Sequence, residues 1–363
     1  MRVGLIGLPM SGKTTFFRLL TNSKESGGGF AQGKMGAEVG VAKIPDKRID
    51  FLSDMYKPRK TTLATIEVID IPGMAVGGQR QKGAGANSFL DFVRKVDALV
   101  HVVRAFRNSS VVHVEGAVDP LRDIDLVNTE LLFADLSIIE NRIQRIEAGK
   151  KVNKDAQKEL KVLKKCRDGL ESERSIHTQE LDDDERQYLK TFDFLTERPL
   201  ILLINLDEDQ FKSGNYEKKE EVLKYARERH IPVIETCAKT ELEIIMLENE
   251  DRKVFMEDLG IEETGISRLA SAAYDYLGMI SFFTVGEDEV KAWPIKKGIS
   301  AKAAAGKIHS DIEKGFIRAE VVKYADLKDL GSMGKVKEKG LLRLEGKDYI
   351  VEDGDIINFR FNV

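Results

Sequence analysis

The chain has 363 residues, more than one ordinary domain holds, so two or three compact units are expected. Hydrophobic residues make up 42%, enough for real cores, and 33% are charged with a net charge of -4. That balance excludes the basic excess that marks nucleic-acid binding by bulk charge. The two cysteines, Cys166 and Cys237, stand far apart, which excludes a disulfide scaffold or a CxxC metal knuckle and fits a reducing compartment. The start, Met1 to Ile6, enters an apolar strand with no signal-peptide region before it, and nowhere do 18 apolar residues run together. A cytoplasmic protein without a membrane partner is the expectation.

Val3 to Ile6 reads as the first buried strand, and Gly7 Leu8 Pro9 Met10 Ser11 Gly12 Lys13 Thr14 follows it directly. This is a full GxxxxGK[ST] loop, set before an apolar helical stretch from Phe16 to Leu20. Backbone N–H groups must turn inward around a β-phosphate, which demands glycine where dihedrals are unusual or approach is close. The helix N-terminus adds partial positive charge. Lys13 is expected to bridge the β- and γ-phosphates, Thr14 to ligate Mg²⁺, and Thr15 to lie near the α-phosphate.

Val39 to Ile44 and Thr65 to Ile69 alternate and are expected to form a hairpin at the sheet edge. The second run ends in Asp70 Ile71 Pro72 Gly73, a DxxG in which Asp70 would hold Mg²⁺ and the Gly73 N–H would sense the γ-phosphate. The glycine-rich stretch from Gly73 to Asn87 reads as a switch loop. Met74 stands where Ras-like enzymes carry a water-positioning Gln, so another group must serve. His113, Gln79 and Arg80 have suitable chemistry.

Ala98 to Val103, Leu200 to Ile204 and Ile231 to Ile234 are further buried strands, so the pattern is a doubly wound α/β sheet. Between Asp125 and Leu200 the period becomes helical: Leu132, Leu136, Ile139, Ile143 and Ile146, then Ala156, Leu160 and Leu163, with a polar break at Gly149 to Asn153. An antiparallel coiled-coil hairpin follows from this spacing. Its face from Arg142 to Arg167 is basic and Asp168 to Glu185 is acidic; either the charges offset each other in solvent or the basic face touches RNA phosphates.

Asn205 Leu206 Asp207 Glu208 stands where a GTPase shows Asn-Lys-x-Asp, and the longer carboxylate makes strict guanine selectivity doubtful. Cys237 Ala238 Lys239 takes the place of the loop that closes over the base. After a helix at Ile266 to Leu277 come short strands at Phe282 to Val285, Lys291 to Pro294, Phe316 to Val322, Leu341 to Leu344, Tyr349 to Val351 and Ile356 to Arg360. One helical stretch lies at Ala301 to Ile312. This reads as a β-grasp-like α+β module. The expected division is 1–125 with 200–278 for the P-loop nucleotide-binding domain, 126–199 for the helical insertion and 279–363 for the C-terminal module.

These motifs together resemble the Obg-related, YchF-type ATPases over essentially the whole chain. The matching stretches include Gly7 to Thr15, Asp70 to Gly73, His101 to Phe106, Val112 to Gly116, Val118 to Pro120 and Asn205 to Glu208. They also include Lys314 to Val321 and Lys347 to Asp355. The resemblance implies a TGS domain at the C-terminus, a coiled-coil domain in the middle and a NxxE base motif that favours ATP over GTP, with GTP open as a second substrate. It also implies Mg²⁺, an adenine contact from Phe106, a catalytic His at His113, a hydrophobic residue in place of the Gln, and a ribosome or ribosomal RNA partner; a monomer is the separate expectation for the oligomeric state. The chain departs from the family where Gly27 to Lys34 replaces a switch segment containing the Mg²⁺-sensing Thr, where Pro72 replaces Ala and where Met10 replaces Asn. These departures leave nucleotide binding in place and put the rate of hydrolysis in question. Two other readings of the P-loop stay open: a nucleotide-gated binding module with negligible turnover, and a small-molecule kinase, which lacks lid arginines here.

Overall fold

The computed structural model describes residues 1–21, 37–72, 89, 91–149, 153–261 and 263–362. Two compact units share the chain. The first takes Met1–Ala42 and Glu67–Leu269, the second Lys43–Ile66 and Ala270–Val363. The strands run β1 (Arg2–Ile6), β2 (Glu38–Lys43), β3 (Lys60–Thr62), β4 (Thr65–Asp70), β5 (Ala98–Arg104), β6 (Leu200–Asn205) and β7 (Val233–Thr236). They continue as β8 (Met279–Thr284), β9 (Glu289–Lys296), β10 (Phe316–Lys323), β11 (Arg343–Glu345) and β12 (Asp355–Phe361).

The first unit is built on a six-stranded sheet of order β2-β4-β1-β5-β6-β7. Its strands β4, β1, β5, β6 and β7 are parallel. All seven residues of β5 are buried, as befits a central parallel strand covered on both faces. Register aligns the strand ends: Leu5 faces Asp70, Ile6 faces His101, Arg104 faces Asn205 and Asn205 faces Thr236. The carboxyl ends of five strands therefore open onto one edge, where doubly wound sheets bind ligands. The expected edge pair β2 and β4 are neighbours, but a helix and β3 lie between them in the chain, so no tight hairpin joins them.

The helical pair lies within this first unit. Helix α1 is Lys13–Thr21, α2 is Lys47–Tyr56, α3 is Pro120–Glu147 and α4 is Lys154–Glu171. Asp119 caps α3 by accepting from the Arg122 N–H, with Pro120 in the first turn, and Asn153 caps α4 through the Ala156 N–H. Leu132, Ile139, Ile143 and Ile146 pack with Val162, Leu163, Cys166 and Leu170, the faces that the heptad-like spacing selects. Much of the basic face is paired: Arg142 with Glu159, Lys164 with Glu147, Lys165 with Glu185 and Arg167 with Asp168.

The second unit carries a mixed sheet of order β11-β10-β12-β8-β9-β3. Phe282, Ala304, Val321 and Ile357 form its core. Residues 43–66, grouped with the nucleotide-binding part by sequence, fold here instead: β3 pairs in parallel with β9, Thr61 facing Val290. Arg48 in α2 adds to this anchoring by binding Asp46 and Asp353 at 2.8 and 2.6 Å and lying 5.0 Å over the Phe283 ring. A three-residue polar strand such as Lys60–Thr62 carries no pattern in the sequence, so its pairing with β9 shows only in the fold. Tyr349 to Val351, expected as a strand, makes only an isolated bridge from Ile350 to Ser300. Side-chain bonds take over there, the Tyr349 hydroxyl donating to Asp355 at 2.8 Å and accepting from Arg343 at 3.0 Å. Among the described residues no helix is long and apolar enough to cross a membrane.

Candidate functional site

The loop after β1 needs its glycines. Gly7 has φ +148° and a Cβ there would overlap the Val102 carbonyl oxygen. Gly12 has φ +89°, and a Cβ there would overlap the Asn205 side-chain nitrogen. Only glycine meets both demands without strain. Met10 also sits at positive φ, +61°, with its side chain in solvent. Pro9 is exposed beside it. Helix α1 then begins at Lys13, which leaves its first amides free for an anion.

Lys13, Thr14 and Asp70 converge. Lys13 is only 8% exposed, and its Nζ lies 3.9 Å from Asp70 Oδ1. Burial lowers the ammonium pKa, and the Asp70 charge opposes that shift. Burial raises the Asp70 pKa, against the opposing effects of Lys13 and the Thr14 hydroxyl. Thr14 Oγ1 donates to Asp70 Oδ2 at 2.9 Å, whereas Oδ1 is buried with no hydrogen-bond partner. A desolvated carboxylate oxygen without a donor, beside a hydroxyl, fits a hard divalent cation that takes few protein ligands and completes its shell with water and phosphate. No cluster of three or more His, Cys, Asp or Glu fit for a metal occurs among the described residues. Thr14 and Asp70 are thus the residues that would hold Mg²⁺. Thr15 is half-buried next to them.

Asn205, at the end of β6, fastens the phosphate loop to the start of the helix that follows β7. Its Nδ2 donates to the Ser11 carbonyl at 3.0 Å and its Oδ1 accepts from the Ala238 N–H at 3.2 Å. The neighbouring candidates divide. Leu206 is buried in the core with Val103 and Tyr216. Glu208 opens a short helix and pairs with Lys212 at 2.9 Å, half in solvent. Cys237 is buried, its sulfur 3.0 Å from the Thr240 hydroxyl. Lys239 extends into solvent, with Glu243 at 3.9 Å. Phe106 is half-buried, its ring edge facing Gly12, and its N–H donates to the Asn205 carbonyl at 3.0 Å. The structure thus gathers Ser11, Gly12, Phe106, Asn205 and Ala238 while leaving Glu208 and Lys239 at the rim.

His113 is 7% exposed and engaged on both ring nitrogens. Nδ1 accepts from the Glu115 N–H at 3.1 Å and Nε2 meets Asp123 Oδ2 at 2.8 Å. That amide makes Nδ1 the acceptor, so Nε2 carries the proton toward Asp123. His113 borders the same small cavity as Pro9, Ser11 and His101. His101 on β5 is fully buried, its pKa pushed down to about 3 by burial and then by the Lys13 charge. Gly73, Met74, Gln79, Arg80 and the segment Gly27 to Lys34 lie outside the described residues.

Several contributors escaped the sequence. Asp207 accepts from the Gln210 and Arg107 N–H groups, and Gln210 donates to the Ala105 carbonyl at 2.9 Å. The Asp207-x-x-Gln210 spacing is a capping-box signal that was available to be read. Cys237–Lys239, expected as a loop, instead opens a helix from Ala238 to Ile245, and Glu241 in it, 2% exposed, accepts from Thr236 Oγ1 and the Gly265 N–H, fastening the turn from β7 into that helix. No local pattern announces it.

The family described as a 50S ribosome-binding GTPase matches residues 2–239. The YchF-GTPase C-terminal family, described only as a protein of unknown function, matches residues 279–362. The ribosome-binding ATPase YchF of Bacillus subtilis strain 168 is 42% identical over 366 residues, covering all of both chains. Its namesake in Haemophilus influenzae is 42% identical over 363 residues, covering 100% of this chain and 99% of the relative. The solved structure of the Schizosaccharomyces pombe YchF GTPase superposes with a TM-score of 0.86 at 30% identity, covering 99% of this chain and 97% of that one. On the strength of these full-length matches, the chain belongs to the YchF family.

Proposed function

We propose that this chain is an ATP-hydrolysing nucleotide switch that associates with the ribosome in the cytoplasm, acting as a monomer. The observation that carries the reading is the convergence of Lys13, Thr14 and the donor-free Asp70 oxygen at the end of a glycine-built loop. The names of its relatives, ribosome-binding ATPases, support the partner and the substrate. In this reading the amides of residues 7–15 and the start of α1 cradle the β- and γ-phosphates, and Lys13 spans them. Thr14 and Asp70 would hold Mg²⁺, which would supply neutralisation of phosphate charge. Phe106 packs on the base, while Asn205 and the helix start at Cys237–Lys239 frame it. Glu208 at the rim would favour adenine over guanine. Water attacks the γ-phosphorus and the β–γ anhydride breaks, giving ADP and phosphate.

The test measures phosphate release from ATP and GTP with Mg²⁺, with and without ribosomes, beside a Lys13→Ala control. Turnover above that control, faster with ATP, is expected; turnover equal to it removes the enzymatic claim. Ribosome cosedimentation independent of nucleotide removes the switch. The alternative, a nucleotide-gated binding module with negligible turnover, is favoured by one observation: both His113 nitrogens are already committed. If His113 is the general acid/base, His113→Ala lowers turnover while leaving ATP affinity intact. Equal turnover assigns His113 to the scaffold.

A further inference from the structure

Arg104 ends β5 with its side chain only 3% exposed. Among the described residues it makes no ion pair within 4.0 Å, which is unusual for a guanidinium this deep. Its donors go to backbone instead. Nε reaches the Phe106 carbonyl at 3.4 Å, Nη1 the Val112 carbonyl at 3.4 Å, and Nη2 the Asn108 and Val111 carbonyls at 3.3 and 2.9 Å. The planar head also lies 4.5 Å from the centroid of the Phe106 ring. One side chain thus backs the aromatic ring and gathers the loop from residue 106 to 112.

The rest of the ring's setting points the same way. The Ala105 and Phe106 N–H groups both donate to the Asn205 carbonyl, at 2.9 and 3.0 Å. The Arg107 N–H donates to Asp207 at 3.0 Å. Backbone tethers fix where the ring begins, but none of them sets its tilt. Arg104 covers one ring face, which leaves the other for a planar partner. A guanidinium 4.5 Å from the ring centroid covers that face broadly and a lysine does not, because an ammonium is a point donor without a plane.

We propose that Arg104 is a positioning residue for the nucleobase: it holds the Phe106 ring as a platform for adenine and so sets base affinity without touching the phosphates. This inference rests on the nucleotide-binding reading above. It predicts that the two halves of the ligand separate energetically. Binding to an inorganic tripolyphosphate with Mg²⁺ reports on the phosphate loop alone, whereas ATP also reports on the platform.

The experiment is calorimetry of the full chain with Mg-ATP and with Mg-tripolyphosphate, on wild type, Arg104→Lys, Phe106→Leu and the double variant. Arg104→Lys is expected to weaken ATP about tenfold and to leave tripolyphosphate affinity unchanged. In the Phe106→Leu background the same change should cost ATP nothing more, since the ring through which it acts is gone. Equal weakening of both ligands would mean a general loss of structure and overturns the proposal, as does an Arg104→Lys protein that binds ATP like wild type. Full additivity in the double variant overturns it too, by showing action through another route. Wild-type protein that binds neither ligand instead defeats the nucleotide reading on which the proposal stands.

Discussion

Replacing Asn205 by alanine tests how the nucleotide site is held together. The amide is 5% exposed and spends both ends on backbone: its NH₂ on the Ser11 carbonyl and its oxygen on the Ala238 N–H. Alanine strands two buried groups, each costing about 1 to 3 kcal/mol if nothing replaces the partner. Water admitted into the emptied volume recovers part of that, so a stability loss of about 2 to 4 kcal/mol is expected. Urea denaturation followed by circular dichroism measures it. Asn205→Asp separates the two bonds, because the carboxylate keeps the acceptor toward Ala238 and loses the donor, placing a negative charge against the Ser11 carbonyl. Its ATP affinity should fall further than its stability, since that charge also faces the polyphosphate. An Asn205→Ala protein within about 0.5 kcal/mol of wild type, with ATP affinity unchanged, would refute the bridge, since 0.5 kcal/mol is below the cost of even one unmade buried bond.

Three other perturbations address neighbouring claims. Gly12→Ala adds a Cβ that collides with the Asn205 amide nitrogen at φ +89°; strain of about 1 to 2 kcal/mol plus the broken bridge should abolish displacement of a fluorescent ATP analogue, and retained displacement contradicts the loop geometry. The Glu241 carboxyl is raised above 4.5, first by burial and against the Thr236 and Gly265 bonds and the Arg268 charge. The folded state therefore holds that proton more tightly than the unfolded chain, so this group's contribution to stability declines as pH rises from about 4.5 through the folded value. Glu241→Gln should remove that slope from a pH series of urea midpoints, and an unchanged slope assigns it elsewhere. Leu163→Ala empties a fully buried position between α3 and α4 and should cost about 2 to 5 kcal/mol, while ATP affinity, which depends on none of that cluster, stays as it was. A loss of ATP affinity in step with stability would show that the arm and the site are energetically one.

What could be read from the chain followed from whether chemistry forces residue types into a contiguous run. Polyphosphate binding does so, which is why residues 7–15 announce themselves. The Leu132 to Ile146 spacing does the same for the helical pair. Residues that bind distant backbone leave no such trace. Asp135 is wholly buried and accepts from Leu195 and Thr196, sixty positions away. Two of the three donors are backbone amides that any residue but proline offers, and only the Thr196 hydroxyl depends on residue type, so the clamp has almost no signature in the sequence. Arg104 is hidden for the same reason, since its partners are carbonyls. The pairing of β3 with β9 joins Thr61 to Val290, and period-two alternation at either end says nothing about the other.

The setting of His113 also bears on what a conformational step would cost. To act on a γ-phosphate the imidazole would have to leave both Glu115 and Asp123. Leaving a buried carboxylate without a partner is ordinarily expensive, but Asp123 Oδ1 already accepts from Arg122 Nε and Nη2 at 3.1 and 2.7 Å. Its charge stays compensated when the histidine goes. What is forfeited is about one buried hydrogen bond to a charged group, on the order of 1.5 to 3 kcal/mol. Occupancy of the loop releases His113 only if the released form binds the Mg-nucleotide more tightly by at least that amount. On the same arithmetic, Arg122→Ala should trap the histidine, because its departure would then strand the carboxylate outright.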